Sequence, residues 1–194
     1  MTDKVKYIGL DISTSIIGIS LLDAQGNLIN LENINLKKVK CIFEKSDIVY
    51  NTFKKYLEDY SFCDEASISI EESLQSFRRG FSSAKTLSQL SRFNGIVSYI
   101  AYSVFNIKPV YINVNSARKN LQIKIDKSSE LSTKEQIFQW VKERISFEWP
   151  TKTLKSGPNK GLVKYDESCY DMSDAYIICK AHIYNEKDNN WRKD

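Results

Sequence analysis

Three β-rich runs crowd the start of the chain, separated by turns too short to hold a helix. VKYIGLDI reads as a central strand, and IIGISLLD follows it at once. Gln25-Gly26-Asn27 then signals a turn, and LINLENINL alternates apolar and polar as a half-exposed strand does. Strands joined this closely pair antiparallel, because a parallel pair needs a crossover of a dozen or more residues. Everything later must therefore be built onto a three-stranded antiparallel meander.

The remainder alternates between the two periodicities. Ile48, Val49, Phe53 and Leu57 recur at helical spacing and predict a helix over Ser46 to Tyr60. ASISIE is a short strand. Ser83 to Phe105 is the clearest helix, with Leu87, Leu90, Val97, Ile100, Ala101 and Val104 as its apolar stripe. PVYINV follows as a strand opened by Pro109. Ser132-Thr133-Lys134-Glu135 carries the start signal of a helix reaching Arg144. Pro150, Gly157-Pro158 and Gly161 mark residues 148–168 as a loop. A last helix is expected from Asp171 to Tyr184, with Ser168-x-x-Asp171 as a capping box at its start. The order β-β-β-α-β-α-β-α-α predicts an α/β fold: a mixed five-stranded sheet, three antiparallel strands then parallel crossovers, with helices on both faces. That is the order of ribonuclease H-like domains.

With 194 residues and 42% hydrophobic content, the chain supports one domain with its own core. We expect that domain over residues 1–186 and a polar tail over 187–194. No apolar run approaches the ~20 residues of a membrane span. The opening MTDKVKYIGLDIS has neither a signal-peptide core nor a transit-peptide pattern. Cys41, Cys63, Cys169 and Cys179 form no CxxC pair and no zinc-like spacing, so reduced, buried thiols are expected.

Net charge is +4, but its distribution is uneven. No Asp or Glu occurs between Ser73 and Ile125, a span holding Arg78, Arg79, Lys85, Arg92, Lys108, Arg118, Lys119 and Lys124. A second acid-free stretch, Thr151 to Lys164, holds Lys152, Lys155, Lys160 and Lys164. Such segregation offers a face to a polyanion, although a solvated basic surface would look the same.

The acids stand elsewhere. Asp11 ends the first strand, Glu71 ends the fourth, and Asp171 and Asp174 sit three apart at the start of the last helix, hence on one face. Ligand sites in sheets of this kind lie beyond the strand ends. Gathered carboxylates repel one another, which a hard divalent cation resolves. Two Mg²⁺ or Mn²⁺ ions per site would clamp a scissile phosphodiester. Glu72 competes with Glu71 for the same role.

These motifs together resemble the RuvC family of Holliday junction resolvases. IGLDISTSIIGISLLD is similar to the family's first motif, a strand ending in Asp followed by a small-residue turn, here Asp11 and then Gly18. SISIEESLQSF resembles the second, with Glu71 as the metal-binding acid, and AKTLSQLSRFNGIVSYIA the helix that follows it. YINVNSARKNLQIK and STKEQIFQWV resemble the segment bearing DNA-contacting lysines, and DMSDAYIICKAHI the final motif, with Asp171 and Asp174 as its paired aspartates. The resemblance spans about residues 5 to 184. It implies a magnesium-dependent crossover junction endodeoxyribonuclease that acts as a homodimer on four-way DNA, leaving 5′-phosphate and 3′-hydroxyl ends. Asp11, Glu71, Asp171 and Asp174 are then the catalytic metal ligands. On electrostatic grounds Arg78, Arg79, Lys85, Arg92, Arg118, Lys119, Lys134, Lys152 and Lys155 are the candidate phosphate contacts. The resemblance also implies a cytoplasmic place, in a bacterial or an infected host cell, and a role in DNA recombination and repair. Where bacterial members often place an aromatic at the junction centre this chain has Leu74, and Phe77 and Phe81 are the nearest stacking candidates. That departure, with the long lysine-rich loop, points to a divergent viral or phage relative.

Three other readings stay open. The same carboxylates serve a nuclease for flaps, other branched DNA or RNA–DNA hybrids. GLDISTS also resembles the phosphate loop of sugar kinases and actin, but those proteins need two lobes and a glycine-rich loop, and no nucleotide cofactor is expected here. A junction-binding protein without catalysis gains nothing from acids facing phosphates.

Overall fold

The computed structural model describes residues 4–72 and 84–191. Its main sheet has the strand order β3-β2-β1-β4-β5. β1 (Val5–Ile12), β2 (Ile16–Leu22) and β3 (Leu28–Asn35) form the antiparallel meander. β4 (Phe62–Glu71) and β5 (Val110–Ile112) extend it in parallel with β1. The fold is thus the mixed five-stranded α/β arrangement that the residue pattern predicts.

Helices cover both faces. α1 (Ile42–Asp59) and α2 (Ala84–Phe105) close one, burying Val49, Phe53, Phe93, Val97 and Ala101 against Ile8, Leu10, Ile19, Ile68 and Ile70. On the other, α5 (Ser168–Trp191) lies across the sheet, flanked by α3 (Val114–Asn120) and α4 (Thr133–Lys142). Its Met172, Ile177 and Ala181 join Ile137, Phe138, Val141 and Trp149 in a second core. β2 is buried on both sides, so it lacks the polar alternation of β3.

Several boundaries differ from expectation, for local reasons. α1 starts at Ile42, because Ser46 does not cap it: its hydroxyl bonds back to the Ile42 carbonyl at 2.8 Å, inside the helix. α5 starts at Ser168, so that serine is no capping box either; Asp166 Oδ1 accepts the Ser168 N–H at 2.9 Å instead. The helix then continues to Trp191. The capping box of α4 is present, Ser132 with Glu135. The 148–168 segment holds a hairpin, β6 (Thr151–Thr153) with β7 (Val163–Tyr165), separate from the main sheet. All four cysteines are free; Cys169 and Cys179 are buried, whereas Cys63 is half-buried and Cys41 exposed. No helix among the described residues is long and apolar enough to cross a membrane.

Candidate active site

The site begins with two neighbouring parallel strands. Leu10 of β1 stands beside Ile70 of β4, so Asp11 and Glu71, next along each, leave the sheet side by side. Both acids are half-buried there.

The second half arrives on α5, and two glycines let it approach. Gly9 and Gly18 face each other's strand across the meander, Gly18 opposite Asp11. A β-carbon at Gly18 would collide with the backbone carbonyl of Asp171. One at Gly9 would collide with the Ala175 carbonyl and stand 2.6 Å from Cys179 Cβ. The helix therefore seats its first turns directly on strand backbone. Ser20 Oγ fixes the height by donating to the Ala175 carbonyl at 3.0 Å. With the helix held there, Asp171 and Asp174 share one cavity of about 240 Å³ with Asp11 and Glu71.

Ile12, Ser13, Glu72, Leu90, Asn94, Arg118 and Lys134 complete the lining. Asn94 Nδ2 donates to the Glu71 carbonyl at 3.4 Å, and Ser98 Oγ donates to the Asn94 carbonyl at 2.7 Å. Asn94 was not singled out from sequence, yet a signal was there: an amide on the buried stripe of α2, between Leu90 and Val97. Glu72 turns toward α3, where its carboxylate accepts from Asn113 Nδ2 at 3.3 Å. The same Asn113 caps α3 by accepting the N–H groups of Asn115 and Ser116.

Crowding changes the acids' protonation. Burial, reinforced by the charges of Glu71, Asp174 and Asp171, holds the Asp11 carboxyl well above its ordinary value. Burial also raises Glu71, against its hydrogen bond with Asp11 and the pull of Arg118 and Lys134. Asp171 rises through burial, partly offset by Lys134 and Lys37. Asp174 is pushed up to about 7 by burial and the Glu71 charge, with Arg118 and Lys134 opposing. The cluster therefore retains protons at a pH where free carboxylates have none.

These residues fit a hard divalent cation in chemistry. All four donors are carboxylate oxygens, and Asp174 Oδ1 is buried with no hydrogen-bond partner among the described residues. They do not form a closed coordination sphere: no group of three or more Asp, Glu, His or Cys side chains among the described residues is already gathered tightly enough around one point.

The basic candidates separate by position. Arg118 and Lys134 stand in the cavity wall, and Arg118 Nε is buried with no hydrogen-bond partner among the described residues. Lys119 is exposed on α3, and Lys85 and Arg92 are exposed on α2. Lys152 is held by Glu167 at 3.1 Å, whereas Lys155 is exposed beyond the end of β6. Arg78, Arg79, Phe77, Phe81 and Leu74 lie outside the described residues.

No family model and no curated protein matches the chain in sequence. Solved structures do match in shape. RuvC of T. thermophilus bound to a Holliday junction substrate superposes with a TM-score of 0.61 at 13% identity, covering 93% of this chain and 94% of that one. A second T. thermophilus RuvC structure gives 0.55 at 14% identity, over 94% and 96% of the two chains. The yeast mitochondrial Holliday junction resolvase Ydc2 gives 0.55 at 12% identity, over 95% and 80%. Nearly the whole length of both bacterial structures is matched. The chain thus has the ribonuclease H-like fold of the RuvC-type Holliday junction resolvases.

Proposed function

We propose that the protein is a metal-dependent DNA endonuclease that resolves four-way junctions. One observation carries the reading: Asp11, Glu71, Asp171 and Asp174, from three separate elements, line a single cavity whose wall also holds Arg118 and Lys134. Acids alone would repel a nucleic-acid backbone. Acids that bind cations, beside fixed basic groups, attract it and hold one phosphodiester in place.

The four carboxylates are the residues that would hold Mg²⁺ or Mn²⁺, two ions per site. Such ions, when bound, supply Lewis-acid activation of water and charge stabilisation at the leaving oxygen. The chain's own groups do the rest. Asp174 and Asp11, whose carboxyls burial holds above the ordinary range, would have to be ionised to serve as ligands. Asn94 anchors the end of β4 through the Glu71 carbonyl, limiting the drift of that side chain. Arg118 offers an unpartnered Nε, and Lys134 an ammonium, to the phosphate oxygens. Lys119, Lys85 and Arg92 add contacts that position the duplex without reading its sequence. Two copies acting on one junction would nick opposing strands and leave 5′-phosphate and 3′-hydroxyl ends.

Flap, branched-DNA or RNA–DNA hybrid cleavage by the same cavity is the second reading, because the carboxylates are indifferent to substrate shape. Incubating the protein in Mg²⁺ with a four-way junction, a flap and a hybrid side by side separates them. Junction cleavage at paired positions is the expected result; faster cutting of the hybrid or the flap contradicts it.

A further inference from the structure

The lysine-rich segment between α4 and α5 was expected to be a loop, and it is instead a built device. Strands β6 and β7 pair with each other, and Leu154 and Leu162 continue the ladder by a 2.9 Å backbone bond. A two-stranded ribbon alone is marginal in water. This one is riveted at its base. Tyr165 packs edge-on against Phe138 with ring centres 5.0 Å apart, and Lys142 stands 4.6 Å over the Tyr165 ring. The Asp166 N–H reaches the Pro150 carbonyl at 2.9 Å. Lys152 and Lys37 both engage Glu167, at 3.1 and 3.2 Å. Lys152 is therefore part of the rivet.

Beyond the base the ribbon touches little. Residues 155–165 are all exposed, and neither Gly157 nor Gly161 has anything within 4 Å of where a side chain would begin. Lys155, Lys160 and Lys164 make no ion pair among the described residues. Leu162 and Val163, 51% and 61% exposed, stand among them. No acid occurs from 151 to 164. The base of the ribbon leads directly into α5, whose Asp171 lines the acidic cavity. A firm base holding a cationic tip with exposed Leu162 and Val163 is costly in exposed apolar surface unless something covers it.

We propose that the β6–β7 ribbon grips a double-stranded DNA arm outside the cleavage site, with Lys155, Lys160 and Lys164 on its phosphates. The inference rests on the nuclease reading. Its partner is fixed by charge complementarity, and the shape agrees: the major groove of a duplex admits a two-stranded ribbon. The contact is sequence-independent, so it supplies affinity and orientation of an arm and no base preference.

Titration of a fluorescent four-way junction over a range of KCl concentrations tests this. Three full-length proteins are compared: the unaltered chain, Lys155→Gln/Lys160→Gln/Lys164→Gln, and a charge-matched control, Lys54→Gln/Lys55→Gln/Lys108→Gln. Lys54 and Lys55 are exposed on the C-terminal half of α1, which leads into the start of β4, and Lys108 precedes β5; β4 and β5 start at the end of the sheet away from the cavity. Each phosphate contact contributes roughly 0.9 to the slope of log affinity against log salt. The ribbon variant is expected to bind at least about tenfold more weakly near 0.15 M salt, with a slope shallower by roughly two to three, while the control follows the unaltered protein. An unchanged slope, or an equal loss in the control, overturns the ribbon's role while leaving the nuclease reading intact. Failure of the unaltered protein to bind any DNA overturns both.

Discussion

Asp174 shows how a residue can oppose the fold it belongs to. Its carboxyl is raised from an ordinary 3.8 to about 7, so the folded protein binds its proton more tightly than the unfolded chain does. The stability this contributes is complete below about pH 4 and is lost as the pH climbs through about 7. Metal-free protein should therefore melt several degrees lower at pH 8 than at pH 5, at roughly 2–4 °C per kcal/mol for a chain of this size. Mg²⁺ should recover the difference at pH 8. Asp174→Asn should flatten the pH dependence and raise the metal-free melting temperature at pH 8, while removing more activity than the roughly 10–100-fold that outer-shell changes cost. Calorimetry across pH, with and without Mg²⁺, checks the first pair, and a nicking assay the last. At this scale the sequence was informative about acids and poor about their supports. Asp11, Glu71, Asp171 and Asp174 stood at strand ends and a helix start, where periodicity alone marks them. Arg118 was named only for its charge, and Asn94 showed only as an amide on an apolar stripe; their places beside the acids come from tertiary contact, which no spacing rule encodes.

At the scale of elements, α5 and the strands it crosses control the site. Gly18 is the point of closest approach, so Gly18→Ala must push the first turn of α5 off β2. It is expected to cost about 1–3 kcal/mol by overpacking, and to slow cleavage by displacing Asp171 and Asp174 together. Gly95 makes the contrast. It lies on the exposed side of α2 with nothing within 4 Å, so Gly95→Ala should stabilise by about 0.5–1 kcal/mol. Urea melts of the two variants, read beside their nicking rates, test the pair. Long elements were legible because period and length agree: α2 was expected over Ser83 to Phe105 and is helical from its first described residue, Ala84, to Phe105. Short ones were not. α3 is held by the Asn113 cap and has no apolar stripe to announce it, while β6 and β7 are three residues each and carry lysine and threonine in place of an alternating core face. Turn residues in that segment correctly marked the reversals at Gly157 and Gly161 and masked the ladder between them.

The whole molecule sets two cations, Arg118 and Lys134, in the wall of one well of anions. α1 and α2 close the sheet on the side away from α5, and the cavity opens where β1 and β4 end and α5 begins. Binding to a junction should accordingly fall steeply with salt, whereas the melting temperature at fixed pH should change far less, because most ion pairs here are exposed. Parallel titrations and melts in KCl measure both. The fold was legible because a meander followed by two strand–helix alternations leaves few ways to build a sheet; the partner was legible only as a charge pattern. The most direct test of the central claim is a nicking assay on a mobile four-way junction in Mg²⁺, comparing the unaltered protein with Asp174→Asn. Paired, symmetric nicks that need Mg²⁺ and vanish in the variant are the predicted result; cleavage that survives the substitution, or proceeds equally in excess chelator, contradicts it.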